Sequence, residues 1–154
     1  MKKTAFILAL AMLLCGIAPA AVSADNPSLN SAPRVIPAIR EWNPSTGKFV
    51  PKKGMRIVLT SGTRISDELE KIISGYFSDI VGIEISFVTE DAQSGDIILT
   101  LSAETPAETD DARISALGNE GYIIDVNETA NIFAFTSKGL LYGIITILQS
   151  YIAD

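Results

Sequence analysis

Apolar residues follow two different rhythms along this chain, and each predicts a kind of element. Ile65, Leu69, Ile72, Ile73, Tyr76, Phe77 and Ile80 recur at three- and four-residue steps, with Ser, Asp, Glu and Lys between them. That spacing predicts an amphipathic helix over 65–80 that buries one stripe and shows water a charged back. Asp67, Glu68 and Glu70 stand in its early turns, where the helix dipole favours negative charge, and Gly82 marks its end. Shorter alternating runs predict strands at Met55–Thr60, Ile83–Val88 and Asp96–Ser102, the last two separated by the turn-rich "TEDAQSG". "GYIIDV" and "NIFAFT" are expected to pair as a hairpin across residues 127–130. Residues 103–119 are expected to be a loop carrying Glu104, Glu108, Asp110 and Asp111. Pro37 and Pro51 keep 35–51 out of helix, and Asn43-Pro44-Ser45-Thr46-Gly47 is a turn, so two short extended pieces at a sheet edge are expected there. The element order is β-α-β-β-β-β-α. It predicts an α+β domain in which a mainly antiparallel or mixed sheet carries two helices.

The last helix, from Ser137, differs from the first. No charged residue stands between Lys138 and Asp154. Leu140, Leu141, Ile144, Ile145, Ile147, Leu148, Tyr151 and Ile152 cover an arc of roughly 160°. Gly139, Gly143, Thr146 and Ser150, with Gln149 beside them, form a small or neutral opposite flank. Glycines four apart permit close approach of another backbone, at about 1 kcal/mol of helix propensity each. Two readings fit: a central core helix, or a helix clamped between its own sheet and a second domain expected after Asp154. The second is favoured, and it predicts an interdomain contact at Gly139, Tyr142, Gly143, Thr146, Gln149 and Ser150.

The remaining chemistry narrows the function. "MKKTAFILALAMLLCGIAPAAVSA" has two lysines, an apolar run and a small-residue exit, the form of a cleaved secretory signal over 1–24. A flexible leader over 25–34 is expected next, then one domain over 35–152, in a secreted or periplasmic location. Loss of Lys2 and Lys3 from the 12 basic residues leaves ten against 18 acidic ones, a net charge of −8. That sign disfavours nucleic acid and anionic membranes as partners. The chain has no histidine, and Cys15 lies within the signal, so a zinc centre and a Ser-His-Asp or Cys-His centre are not expected. Asp67-Glu68 is explained by its place in a helix's first turn. Glu90-Asp91 and Asp110-Asp111 read as solvating loop charges, and the acidic loop lacks the D-x-D-x-D-G spacing of a calcium site. No catalytic residue, metal or cofactor is assigned. Trp42 is the one aromatic placed as a sugar platform, although capping a sheet edge is the preferred reading. Asn127-Glu128-Thr129 has the form of a glycosylation acceptor, which has meaning only in a host that modifies such sites.

"EGYIIDVNETANIFAFTSKGLLYGIITILQS", Glu120–Ser150, resembles the end of the non-catalytic N-terminal domain of glycoside hydrolase family 20, the β-N-acetylhexosaminidases. Glu120, Gly121 and Tyr122 match the E-G-Y start of a strand in that family. Gly139, Tyr142, Gly143, Thr146, Leu148 and Gln149 match its G-x-x-Y-G-x-x-T-L-x-Q helix with one shift, Ile147 standing where Leu is expected. "VIPAIREWNPSTGKFV" looks like the family's opening Pro-containing strand and G-x-F segment. Ile145 and Ser150 depart from the pattern. The resemblance implies a zincin-like fold without metal. It also implies a following (β/α)8 barrel of about 250 residues that hydrolyses terminal N-acetylhexosamine residues. Such a barrel uses an Asp-Glu pair, the substrate's acetamido oxygen acting as nucleophile. The segment itself is then an inactive support for that barrel. The alternatives are a stand-alone secreted carbohydrate-binding or interaction module, the equivalent domain of a family 84 glycosidase or α-glucuronidase, or assembly with a separately encoded catalytic subunit.

Overall fold

A computed structural model describes residues 29–104 and 112–152. The signal at 1–24, the first part of the leader, and Glu108, Asp110 and Asp111 of the acidic loop lie outside the described residues. Five strands, β1 (Arg56–Leu59), β2 (Ser86–Val88), β3 (Ile97–Leu101), β4 (Tyr122–Val126) and β5 (Ala130–Ala134), form one sheet in the order β2-β1-β3-β5-β4. Helices α1 (Asp67–Tyr76) and α3 (Ser137–Ile152) complete the α+β domain, with a single turn, α2 (Ala112–Ser115), inside the segment expected to be loop.

The sheet is mixed. Its β1–β2, β1–β3 and β3–β5 pairs are parallel, and β4–β5 is antiparallel. Only β4 and β5 are joined by a turn short enough for a hairpin. β2 and β3, although consecutive, are not neighbours, because β1 lies between them. The crossover from β2 to β3 is held by Arg56 at the start of β1. Its guanidinium bonds Asp96 Oδ2 at 2.5 Å, Glu90 Oε2 at 3.3 Å and the Asp91 carbonyl at 3.0 Å. Asp96 also accepts from the Gln93 N–H at 2.7 Å. Burial pushes the Asp96 carboxyl up, but the Arg56 hydrogen bond and the Gln93 N–H outweigh it and hold the group below its ordinary value.

Alternation along the strands decides which face holds the core. Ile57, Ile97, Leu99, Ala130, Ile132 and Ala134 are at most 1% exposed and meet Leu69, Ile73, Phe77, Leu140, Ile144 and Leu148 from the helices. Each large side chain so buried contributes roughly 1.5–3 kcal/mol relative to an exposed one.

Helix α1 starts where Ser66, extended at its backbone, accepts from the Leu69 N–H at 3.2 Å. It widens into a π turn at Phe77–Val81 and stops at Gly82, whose φ of 71° suits glycine. The N–H groups of Gly82 and Ile83 meet the carbonyls of Ser78 and Phe77.

Residues 35–51 contain no strand, contrary to the two extended pieces expected there. Prolines at 37, 44 and 51 leave too few donors for a ladder, and the peptide between Ile36 and Pro37 is cis. The segment is fastened instead by side chains. Val35 is buried, and the Ile36 N–H and C=O are both bonded by the Gln149 amide of α3, at 2.9 and 3.3 Å. The turn at Ser45–Gly47 is present, clasped by Asn30. Trp42 caps that turn rather than a sheet edge: its indole N–H donates to the Asn30 carbonyl at 3.2 Å, and it is 42% exposed.

Candidate interdomain surface

Helix α3 is entered through Thr136, whose hydroxyl donates to the Asn119 carbonyl and accepts from the Gly139 N–H. Its glycines lie directly on the sheet. A Cβ at Gly139 would stand 2.5 Å from the Gly121 carbonyl oxygen and 2.8 Å from Ala134 Cβ. One at Gly143 would stand 2.5 Å from Ile132 Cγ2. Next along the same flank, Thr146 is buried and shares a 2.5 Å hydrogen bond with the Tyr122 hydroxyl. Ser150 closes the row by donating to the Thr146 carbonyl at 2.8 Å. The absent side chains of Gly139 and Gly143, with Ala134 opposite, allow helix and sheet to approach at backbone distance, and β5 and β4 supply the other wall.

The six residues predicted for an interdomain contact therefore separate. Gly139, Gly143 and Thr146 serve the chain's own sheet, which corrects the expectation that the small flank points away from it. Ser150 is bonded within α3. Gln149 holds the N-terminal segment. Tyr142 is half-buried with the Lys138 ammonium 5.7 Å from its ring centroid. Lys138 is also paired with Glu120, whose hydrogen bond and charge hold the ammonium above its ordinary pKa.

The inward arc of α3 is thus rotated from the one predicted. Leu140, Ile144, Ile147 and Leu148 are buried, whereas Leu141 and Ile145 are half-buried and Tyr151 and Ile152 are exposed. Periodicity sorts residues onto faces without saying what covers each face. A finer signal lay in β5, whose core-facing positions Ala130, Ile132 and Ala134 include two alanines. A strand lined with small side chains is the natural seat for a helix edge made of glycine.

Helix α1 also departs from its predicted burial. Leu69, Ile73 and Phe77 are inside, but Ile72, Tyr76 and Ile80, one helical step apart, are between 37% and 43% exposed. This row missed by sequence reasoning shares the helix layer with the outward residues of α3. Between them runs an open groove of about 240 Å³ lined by Ser66, Glu68, Leu69, Ile72, Ser137, Lys138 and Leu141. A second groove, of about 300 Å³, is lined by Arg34, Val35, Ile36, Gln149 and Ile152. Asp67 and Glu68 occupy the first turn of α1 as predicted, Glu68 at the groove wall. Among the described residues no group of three His, Cys, Asp or Glu side chains is placed to hold a metal ion.

Exposed apolar side chains thus stand on both helices, Ile72, Tyr76 and Ile80 on α1 and its π turn and Tyr151 and Ile152 on α3, with Asp67, Glu68, Lys71 and Asp79 also exposed on α1 and that turn. Residues 32–154 match the family model for glycosyl hydrolase family 20, domain 2. The chain belongs to glycosyl hydrolase family 20. Within that family it is the accessory domain of a hexosaminidase, a domain that normally sits with a catalytic barrel in the same chain. Comparison with curated protein sequences gives no match.

Proposed function

We propose that this accessory domain is exported and that the outer side of its helix layer carries the catalytic barrel. The single observation behind this reading is the exposed row Ile72, Tyr76 and Ile80 on α1, beside Leu141, Ile145 and Ile152 on α3. Water gains nothing from contact with six apolar side chains in one layer, and covering them would stabilise a partner at roughly 25 cal/mol per Å². Tyr142 and Gln149 lie at the margin of that contact. The sheet and the N-terminal segment then act as backing that keeps both helices in place. On this reading the chain by itself hydrolyses no N-acetylhexosaminide, and the glycan is bound by the barrel.

The test is binding of the purified chain, lacking residues 1–24, to a family 20 catalytic barrel produced without its own accessory domain. Measurable association that Tyr76→Glu weakens tenfold or more, with unchanged circular dichroism, supports the surface. Equal binding by that variant refutes it. An aryl N-acetylglucosaminide assay of the chain alone should stay at background.

One observation favours a second reading, a carbohydrate-binding module: the half-exposed Trp42 ring is held in place through its indole N–H. Chitin-fragment titration followed by Trp42 fluorescence separates the two, since a saturable shift requires sugar against that ring.

A further inference from the structure

The hairpin tip between β4 and β5 carries a feature that neither packing nor barrel support explains. Three triplets in the chain have the form Asn-x-Ser/Thr, at Asn26, Asn43 and Asn127, and the first two have proline at the middle position, which removes them as acceptors. Asn127-Glu128-Thr129 remains, and it forms the whole connection between Val126 and Ala130. Asp125, Asn127 and Glu128 are exposed and Thr129 is half-buried.

The backbone of this tip is fixed. The Asn127 N–H donates to the Thr129 carbonyl at 2.9 Å, and the Glu128 carbonyl accepts from the Gly95 N–H at 2.7 Å. The Asn127 side-chain amide is held less firmly, donating from Nδ2 to Asp125 Oδ2 at 3.3 Å in the open. Among the described residues only glycines have positive φ, so the turn does not use the left-handed tolerance that usually places Asn in hairpins. What the tip presents is an exposed primary amide and a carboxylate two residues earlier, with a half-buried hydroxyl two residues later that accepts from Asn131 Nδ2 at 3.1 Å.

We propose that Asn127 is the acceptor for an N-linked glycan added outside the cytoplasm, with Asp125 as the charge by which the transferase recognises the site. The donor class is a glycan on a polyprenyl pyrophosphate. Asn127 Nδ2 attacks the anomeric carbon, and the new carbon–nitrogen bond forms as the bond from that carbon to the pyrophosphate oxygen breaks. The lipid pyrophosphate leaves with the bonding pair, and one Nδ2 proton passes to a base of the transferase. Nothing is oxidised or reduced. None of the residues 125–129 belongs to the outer side of the helix layer, so a glycan here leaves the barrel-facing surface free. The inference rests on the export half of the proposed function.

The experiment expresses the whole chain in a bacterium that carries an oligosaccharyltransferase and a polyprenyl-linked glycan on the outer side of its cytoplasmic membrane. Mass spectrometry of the N-terminal peptide reports cleavage and export, and that of the peptide holding Asn127 reports the glycan. The expected result is the glycan mass on Asn127, none in Asn127→Gln or Thr129→Ala, and occupancy at least fivefold lower in Asp125→Asn. An exported, cleaved chain with bare Asn127 overturns the proposal, and unchanged occupancy in Asp125→Asn overturns the role of Asp125. If the chain is not exported, the export reading fails by itself. Residues 25–154 are then sent out behind a leader of known efficiency, and the same two outcomes, glycan or bare Asn127, decide the proposal.

Discussion

Helices α1 and α3 flank one another on the same sheet face, yet they solve their packing in opposite ways. α1 sends large side chains, Leu69, Ile73 and Phe77, into the core and carries Asp67, Glu68, Glu70 and Lys71 elsewhere on its surface. α3 brings its backbone down onto β4 and β5 at Gly139 and Gly143. The charged helix leaves an apolar row at Ile72, Tyr76 and Ile80 uncovered, and the nearly uncharged helix buries the flank that looked free. Charge on a helix therefore does not mean that all its remaining surface is meant for water. Small residues announce a close neighbour without naming it.

The sharpest way to break this contrast is at the glycines. Gly139→Val places carbon atoms against the Gly121 carbonyl, which cannot rotate away, and should cost about 3 kcal/mol of stability, the upper end for overpacking. The midpoint of urea unfolding at constant slope measures it; an unchanged midpoint would mean that α3 does not rest on Gly121. Tyr122→Phe removes the partner of the buried Thr146 hydroxyl and should cost about 1–2 kcal/mol in the same assay, with Thr146→Val in the Phe background returning part of the loss.

Asp96→Asn serves as a control remote from both helices. The folded carboxyl lies below its ordinary pKa, so its contribution is present above the unfolded value, about 3.9, and fades as pH falls toward the folded one. The stability gap between wild type and variant should be constant near neutrality and close on acidification below about pH 4. Barrel binding by Asp96→Asn should match wild type wherever the variant is folded. The smallest effect is expected at Gly75 of α1, where an added Cβ meets nothing within 4 Å. Gly75→Ala should stabilise by about 0.5–1 kcal/mol, opposite in sign to Gly139→Val, because only helix propensity is at work there. A loss at Gly75 would erase the distinction between the two helices.

Much of this fold was legible in the residues. The 3.6-residue period located α1, Gly82 its end, and the short turn after Val126 the one antiparallel pair. Sheet order was not legible. Parallel neighbours are fixed by where crossovers pass, and nothing in "TEDAQSG" states that the chain steps over β1. The Arg56–Asp96 pair that secures this step joins residues 40 apart, beyond any periodic signal. For the candidate surface, sequence identified α3 as unusual but assigned its faces by hydrophobicity alone. The close seat of Gly139 depends on Gly121 and Ala134, which reach it only through the fold. The α1 row escaped notice because Ile72, Tyr76 and Ile80 fall on the same stripe as truly buried residues, shifted by only part of a turn.

Strand β5 follows β4 in the chain but lies between it and β3. During synthesis from the amino end, β4 leaves the ribosome with no sheet to join, since its five residue pairs are all with β5. Insertion of β5 closes two ladders in one event, and α3, the next element out, supplies the cover for their inner face. A chain ending before Ala130 lacks both the strand that pairs with β3 and the core residues of β5 and α3, so the β3 edge has no partner of its own, the kind of edge that invites pairing with another chain. One late strand, paired on both of its edges, joins β4 to the rest of the sheet.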